Sequence, residues 1–190
     1  YLEVHIEQGP VLEQAGLAPD DVRAAAIDET PRKGEEPRAY ALRLARAKAE
    51  AVAARLPEDV RTKPHVVLAA DTVVACGRRI LPKAETDEEV RACLTLLSGR
   101  RHQVLTAVAI RRADGTLRTR IVMTRVAVKR LTASEIAAYI DSREGLGKAG
   151  GYAIQGRAGA FVPWINGSYS NVVGLPLTET CALLRAEGFP

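Results

Sequence analysis

The stretch HVVLAADTVVA (65–75) constrains this chain more than any other. It is apolar and rich in β-branched residues, so it forms a strand. A strand of this kind needs partners and covering helices, and the rest of the chain supplies both in alternation. DVRAAAID (21–28) is expected to be a strand ending in acids, and EPRAYALRLARAKAEAVAARL (36–56) a long alanine-rich helix entered through Pro37. TDEEVRACLTLLSG (86–99) begins with a T-x-x-E capping box. It carries Val90, Cys93, Leu94 and Leu97 at helical spacing and stops at Gly99, which places Cys93 in the core. QVLTAVAIRR and LRTRIVMTRVAVKR flank Asp114-Gly115 and form a β-hairpin. LTASEIAAYIDS repeats the capping box with Thr132 and Glu135 and buries Ile136, Tyr139 and Ile140. Eight of the chain's fifteen glycines fall between Gly145 and Gly174, ahead of a last helix starting near Pro176. Such a region makes tight turns or lets backbone approach a ligand closely.

Composition excludes several classes. With 190 residues, 47% of them hydrophobic, the chain is long enough for one domain or two closely joined lobes around a real core. No run of about 18 uncharged apolar residues exists, and Glu3 and Glu7 stand where a secretory signal needs a basic start, so neither a membrane span nor export is expected. Cys76, Cys93 and Cys181 are odd in number and lack C-x-x-C spacing, which fits a reducing cytoplasm. A net charge of +4 suits an anionic ligand without requiring one. Aromatics make up only 4% of the chain, which argues against nucleic-acid binding by successive base stacking.

Four polar residues are candidates for chemistry. Asp71 interrupts an apolar strand, where a carboxylate needs a cation, a donor network or a function; as a strand-end residue it would instead cap a turn with Thr72. Lys48 falls among Ala41, Leu44, Ala45 and Val52 on a helical wheel, with Arg43, Arg46 and Glu50 on the opposite, solvated face. It either snorkels to water or meets a buried anion. Lys83 in ILPKAET is by itself an ordinary loop lysine. Taken with Glu29, these residues are two acids able to hold a divalent metal and two cations able to neutralise phosphates.

The stretches IDETPRKGEEPRAYALRLARAKA, LAADTVVACGRRILPKAETDEE, LLSGRRHQVLTAVAI and GKAGGYAIQGRAGAFVPWINGSYSNVVGLPLTET occur in the order found in one family. From about Val11 to Phe189 the chain resembles the Maf family of nucleoside triphosphate pyrophosphatases, also called septum formation proteins. Its K-A-G-x-Y-x-I-Q-G form is similar to the branch that hydrolyses dTTP and UTP. The resemblance implies a single Maf-like domain over residues 1–190, an α/β fold with an elongated mixed sheet and flanking helices, two lobes around a central cleft, and a homodimer. It also implies a Mg or Mn ion on Glu29 and Asp71, Asp71 as the catalytic acid residue that takes a proton from water, and Lys83 as a second catalytic residue. Thr72 and Gln155 fall on positions associated with base selection, and Lys48 lines the same cleft. The Gln155 amide, being both donor and acceptor, suits the imide edge of uracil or thymine.

The opening YLEVHIEQGPVLE departs from this pattern. Aligning Val11–Leu17 with the family's first helix puts His5-Ile6-Glu7-Gln8 where the family has Ser-Pro-Arg-Arg. The segment instead resembles a short piece of the hydantoinase and carbamoylase metalloamidases, although His65 and His102 are the only histidines downstream. The expectation is a replaced N-terminal segment. Glu in place of a phosphate-facing Arg exchanges an attraction for a repulsion, each roughly 4 kcal/mol at contact for an effective dielectric of about 20. A net loss of roughly 3 kcal/mol lowers kcat/KM more than about a hundredfold. Pyrophosphate release is therefore expected to be weak or absent with the fold kept. The other classes are a nucleotide-binding or regulatory protein without catalysis, and a metalloamidase fragment.

Overall fold

The computed structural model describes residues 2–5, 21–22 and 25–189. Among these residues seven strands form one mixed sheet: β1 (Leu2–His5), β2 (Asp21–Val22), β3 (Val66–Cys76), β4 (Arg79–Leu81), β6 (Arg101–Arg112), β7 (Leu117–Ala127) and β9 (Trp164–Asn166). Their order is β2-β1-β3-β6-β7-β9, with β4 paired to β3 off this path. β1 runs parallel to both β2 and β3, with Leu2 opposite Val66 and His5 opposite Ala69. β4 returns antiparallel to β3, and β9 antiparallel to β7. A separate ladder pairs β5 (Lys83–Ala84) with β8 (Lys148–Ala149). Among the described residues the helices are α1 (Pro37–Ala53), α2 (Glu58–Arg61), α3 (Asp87–Leu97), α4 (Ala133–Asp141), α5 (Tyr169–Val173) and α6 (Leu177–Ala186), with a 3-10 turn at Arg157–Phe161. The fold is thus the expected mixed α/β architecture.

The chain divides into two compact units. The first comprises residues 1–71, 106–122 and 174–190, and the second 72–105 and 123–173. In the first, Val66, Leu68 and Ala70 share one face of β3, as the two-residue period of a strand requires. They pack with Val108 and Ile110 of β6 and with Leu175, Leu183 and Leu184 at α6. Helix α1 buries Ala41, Leu44, Ala45, Ala49 and Val52, an apolar stripe at helical spacing.

The second unit is built around α3 and α4. Both begin with complete capping boxes. Thr86 Oγ1 accepts from Glu89 N at 3.2 Å while Glu89 Oε2 accepts from Thr86 N at 3.3 Å. Thr132 Oγ1 accepts from Glu135 N at 3.2 Å while Glu135 Oε2 accepts from Thr132 N at 2.8 Å. A cap of this kind contributes about 1 kcal/mol, and with both helix starts fixed, Val90, Cys93, Leu94, Leu97, Ile136, Tyr139 and Ile140 converge on one core. In the first unit, the hairpin turn is closed by Arg112 N donating to Thr116 O and by Asp114 Oδ1 accepting from Thr116 N, with Gly115 at φ 86°.

Two expectations need correction. The strand expected over 21–28 is seen as Asp21–Val22 only, and residues 25–28 are irregular. There Thr30 N donates to Asp28 Oδ1, a local turn that competes with strand pairing. Arg43, placed on a solvated helix face, is instead held by Glu35, and its side chain is only 21% exposed. The unusual segment at positions 5–8 lies, apart from the backbone of His5, outside the described residues.

Candidate active site

Asp71 shares with Val67 and Ala69 the face of β3 opposite Val66, Leu68 and Ala70. Its side chain is 7% exposed, inside a strand that is apolar apart from Asp71 and Thr72. A carboxylate in that position requires compensation, and α1 provides it: Lys48 Nζ lies 2.6 Å from Asp71 Oδ1 and 2.9 Å from Glu29 Oε1. Of the two sequence readings of Lys48, the structure selects the one in which it meets a buried anion. Burial works against the ammonium's charge, yet the charge and hydrogen bond of Asp71, joined by those of Glu29, hold its pKa above the usual lysine value.

Glu29 reaches Lys48 from a segment without regular secondary structure, and two α1 residues hold that segment in place. Tyr40 Oη donates to the Glu29 carbonyl at 2.6 Å. Arg43 forks onto Glu35, with Nε 2.7 Å from Oε1 and Nη2 2.8 Å from Oε2, and Nη2 also donates to Thr30 O at 3.1 Å. The guanidinium bond keeps the Glu35 carboxyl at about 2, well below the ordinary range, although burial pulls the other way. Burial, followed by the negative charges of Asp71 and Glu29, pushes the Tyr40 phenol up. Tyr40 and Arg43 were not among the residues expected from the sequence to serve the site. No spacing within the helix signals this role, because their partners Glu29, Thr30 and Glu35 all lie outside α1.

The expected site residues thus fall into two sets. Glu29, Lys48 and Asp71 come together in the first unit. Thr72, Lys83 and Gln155 belong to the second. Lys83 is exposed on the β5–β8 ladder, opposite Ala149 in register. Gly147 N donates to Ala84 O at 2.7 Å and Gly150 N to Pro82 O at 2.9 Å, so the glycine-rich segment is tied to the Lys83 strand through backbone. Gly150 has φ 70°, and a Cβ there would lie 2.8 Å from Val74 Cγ1. Here the glycines permit both a turn and a close approach.

Gln155 is exposed, but the residues before it are anchored inward. Tyr152 Oη and His102 Nε2 are 2.7 Å apart, both side chains buried, and their rings meet edge to face. Ala153 N donates to Tyr139 Oη at 3.0 Å. Ile154 is buried at 7% exposure. Burial alone lowers the His102 pKa to about 4, so the imidazole is neutral at physiological pH.

Among the described residues no group of three or more His, Cys, Asp or Glu side chains is arranged to hold a metal ion. No helix among them is long and apolar enough to cross a membrane. Glu29 and Asp71 do present hard carboxylate oxygens, the donor type preferred by Mg and Mn. By donor type the pair suits such an ion, and in this structure both carboxylates engage Lys48 Nζ.

A family profile described as "Maf-like protein" matches residues 9–187. The chain is 57% identical over 180 residues to a dTTP/UTP pyrophosphatase of Rhodopseudomonas palustris, covering 95% of this chain and 87% of that protein. It is 58% identical, with the same coverage, to a dTTP/UTP pyrophosphatase of Nitrobacter winogradskyi. To one of Chelativorans sp. it is 56% identical over 179 residues, 94% of this chain and 86% of the relative.

Proposed function

Because this chain belongs to the Maf-like protein family, we propose that it is a hydrolase that cleaves dTTP, UTP or a related modified nucleotide to the monophosphate and pyrophosphate. The observation that carries the chemistry is the Glu29–Lys48–Asp71 cluster, an ammonium between two carboxylates at 2.9 and 2.6 Å. In this reading Asp71 takes the proton of the attacking water. The water oxygen bonds to the α-phosphorus, the α–β bridge breaks, and pyrophosphate leaves. Lys48, held charged by its two acids, offsets phosphate charge as it builds up. Lys83 has the same role toward the leaving pyrophosphate, and Thr72 and Gln155 select the base. Glu29 and Asp71 would hold the divalent ion, which when bound polarises the α-phosphate and lowers the pKa of coordinated water. The protein is assigned to the cytoplasm, acting as a homodimer of single Maf-like domains.

A second reading, nucleotide binding with little hydrolysis, is favoured by His5-Ile6-Glu7-Gln8 replacing Ser-Pro-Arg-Arg. Pyrophosphate release from dTTP and UTP with Mn separates the two. It should be measured for this chain, for a version carrying Ser-Pro-Arg-Arg at positions 5–8, and for Asp71→Asn in each background. Turnover confined to the restored version, and abolished there by Asp71→Asn, supports an intact but silenced site. Comparable turnover in both versions removes the proposed impairment. If neither version releases pyrophosphate, or if Asp71→Asn retains full activity, the catalytic reading fails.

A further inference from the structure

The segment that carries Gln155 has an additional support in Glu144. Arg157 N donates to Glu144 Oε2 at 2.7 Å, and Arg157 Nε stands 3.5 Å from Oε1. Between Gln155 and Arg157 lies Gly156, and an ideal Cβ built there would sit 2.0 Å from Glu144 Oε2. The carboxylate therefore occupies the space that any side chain at position 156 would need. Gly156 has φ −104°, open to other residues, so a side chain there is opposed not by the backbone but by the Glu144 carboxylate, which would have to shift away.

Glu144 is itself held by its neighbours. Arg143 adopts φ 62°, a left-handed conformation costly for a residue with a Cβ. Its guanidinium Nη1 reaches both Asp87 oxygens, at 2.8 and 2.9 Å, tying the turn to the first residue of α3. Ser142 Oγ accepts from Glu144 N at 3.4 Å. The turn after α4 is thus pinned on one side while Glu144 pins residues 156–157 on the other.

We propose that Glu144 is a positioning residue for base selection: its carboxylate sets the backbone immediately after Gln155 and thereby where the Gln155 amide can be presented. The proposal rests on the reading of Gln155 as a base-selecting residue. A site that reads a base through an amide discriminates by the placement of donor and acceptor, so a loosened segment loses discrimination before it loses phosphate binding. Glu144→Gln keeps an oxygen acceptor for Arg157 N. Glu144→Ala removes it, and Gly156→Ala displaces the carboxylate without touching Glu144.

The test is equilibrium binding by calorimetry, with Mg, of UTP and CTP analogues bearing a non-hydrolysable methylene bridge between the α- and β-phosphates. These are titrated into the wild-type chain, Gln155→Ala, Glu144→Ala, Glu144→Gln and Gly156→Ala, with melting temperature recorded for each. The expected result is a uracil-over-cytosine preference in the wild type that falls about tenfold in Glu144→Ala and Gly156→Ala, the equivalent of one hydrogen bond. Glu144→Gln should retain most of it. An unchanged preference in Glu144→Ala, or equal weakening of both nucleotides, overturns the proposal. A wild type without preference, or a preference indifferent to Gln155→Ala, overturns the underlying Gln155 reading, and is recognised before any Glu144 variant is compared.

Discussion

Lys48 Nζ stands 2.6 Å from Asp71 Oδ1, linking the helix α1 to the one acid inside strand β3. Both side chains are largely buried, 13% and 7% exposed. Removing one member of such a pair leaves the other charge without this partner, at a cost of roughly 3 kcal/mol. Lys48→Ala is therefore expected to lower the urea-unfolding free energy by about that amount, and Lys48→Ala with Asp71→Asn by less than the sum of the two single changes. Strict additivity in the double-mutant cycle would show that the pair is not coupled.

Tyr40 acts on Glu29 through the backbone, and Tyr40→Phe removes only the hydroxyl. The 2.6 Å bond to the Glu29 carbonyl is lost while the ring stays. Stability should fall by about 1 kcal/mol. If Glu29 serves the nucleotide site, affinity for the Mg complex of UTP should fall with it, because the segment carrying Glu29 is released. Calorimetric titration of this variant against wild type checks both, and unaltered nucleotide affinity would separate Glu29 from the binding site.

Two of the site residues legible in the sequence share one property: they contradict their surroundings. Asp71 in an apolar strand could cap a turn or meet a cation, and Lys48 on a core face could snorkel or meet a buried anion; they proved to be each other's partners. The helix starts at Thr86 and Thr132 were equally legible, because a capping box is local chemistry written within four residues. Tyr40 and Arg43 were hidden because their partners lie 8 to 13 residues away in a segment with no periodicity, and a helical wheel sees only the helix. The β5–β8 ladder escaped for a related reason: two-residue strands are too short to show alternation, and backbone bonds from Gly147 and Gly150 hold them. The strand over-extended to residue 28 failed where Asp28 offered the backbone of Thr30 a local bond.

His102 makes stability depend on acidity. Its pKa is lowered by burial to about 4 in the folded protein, against an ordinary 6.5 when unfolded. Between these values the unfolded chain binds the extra proton and the folded one does not, so stability falls as pH drops. The contribution is fully present above about pH 6.5 and is lost progressively toward pH 4, roughly 3 kcal/mol in all. Urea unfolding at half-unit intervals across this window should show the decline, and His102→Gln should flatten the part due to this residue. An identical slope in the variant would assign the acid sensitivity elsewhere.

Gly34 and Gly150 both have φ above 70° or at it, 74° and 70°, but their surroundings differ. Nothing lies within 4 Å of a Cβ placed on Gly34, so Gly34→Ala should cost only the left-handed backbone term, about 1 kcal/mol. A Cβ on Gly150 would meet Val74 Cγ1 at 2.8 Å and Val74 Cβ at 3.0 Å, in a strand whose side chain is part of the core. Gly150→Ala should therefore cost the backbone term and about 1–3 kcal/mol more for overpacking. Val74→Ala relieves the contact, so Gly150→Ala should be less damaging in a Val74→Ala background than in the wild type. Melting temperatures of the four chains decide it: the same drop in both backgrounds would mean that strain at Gly150, rather than contact with Val74, accounts for the whole cost.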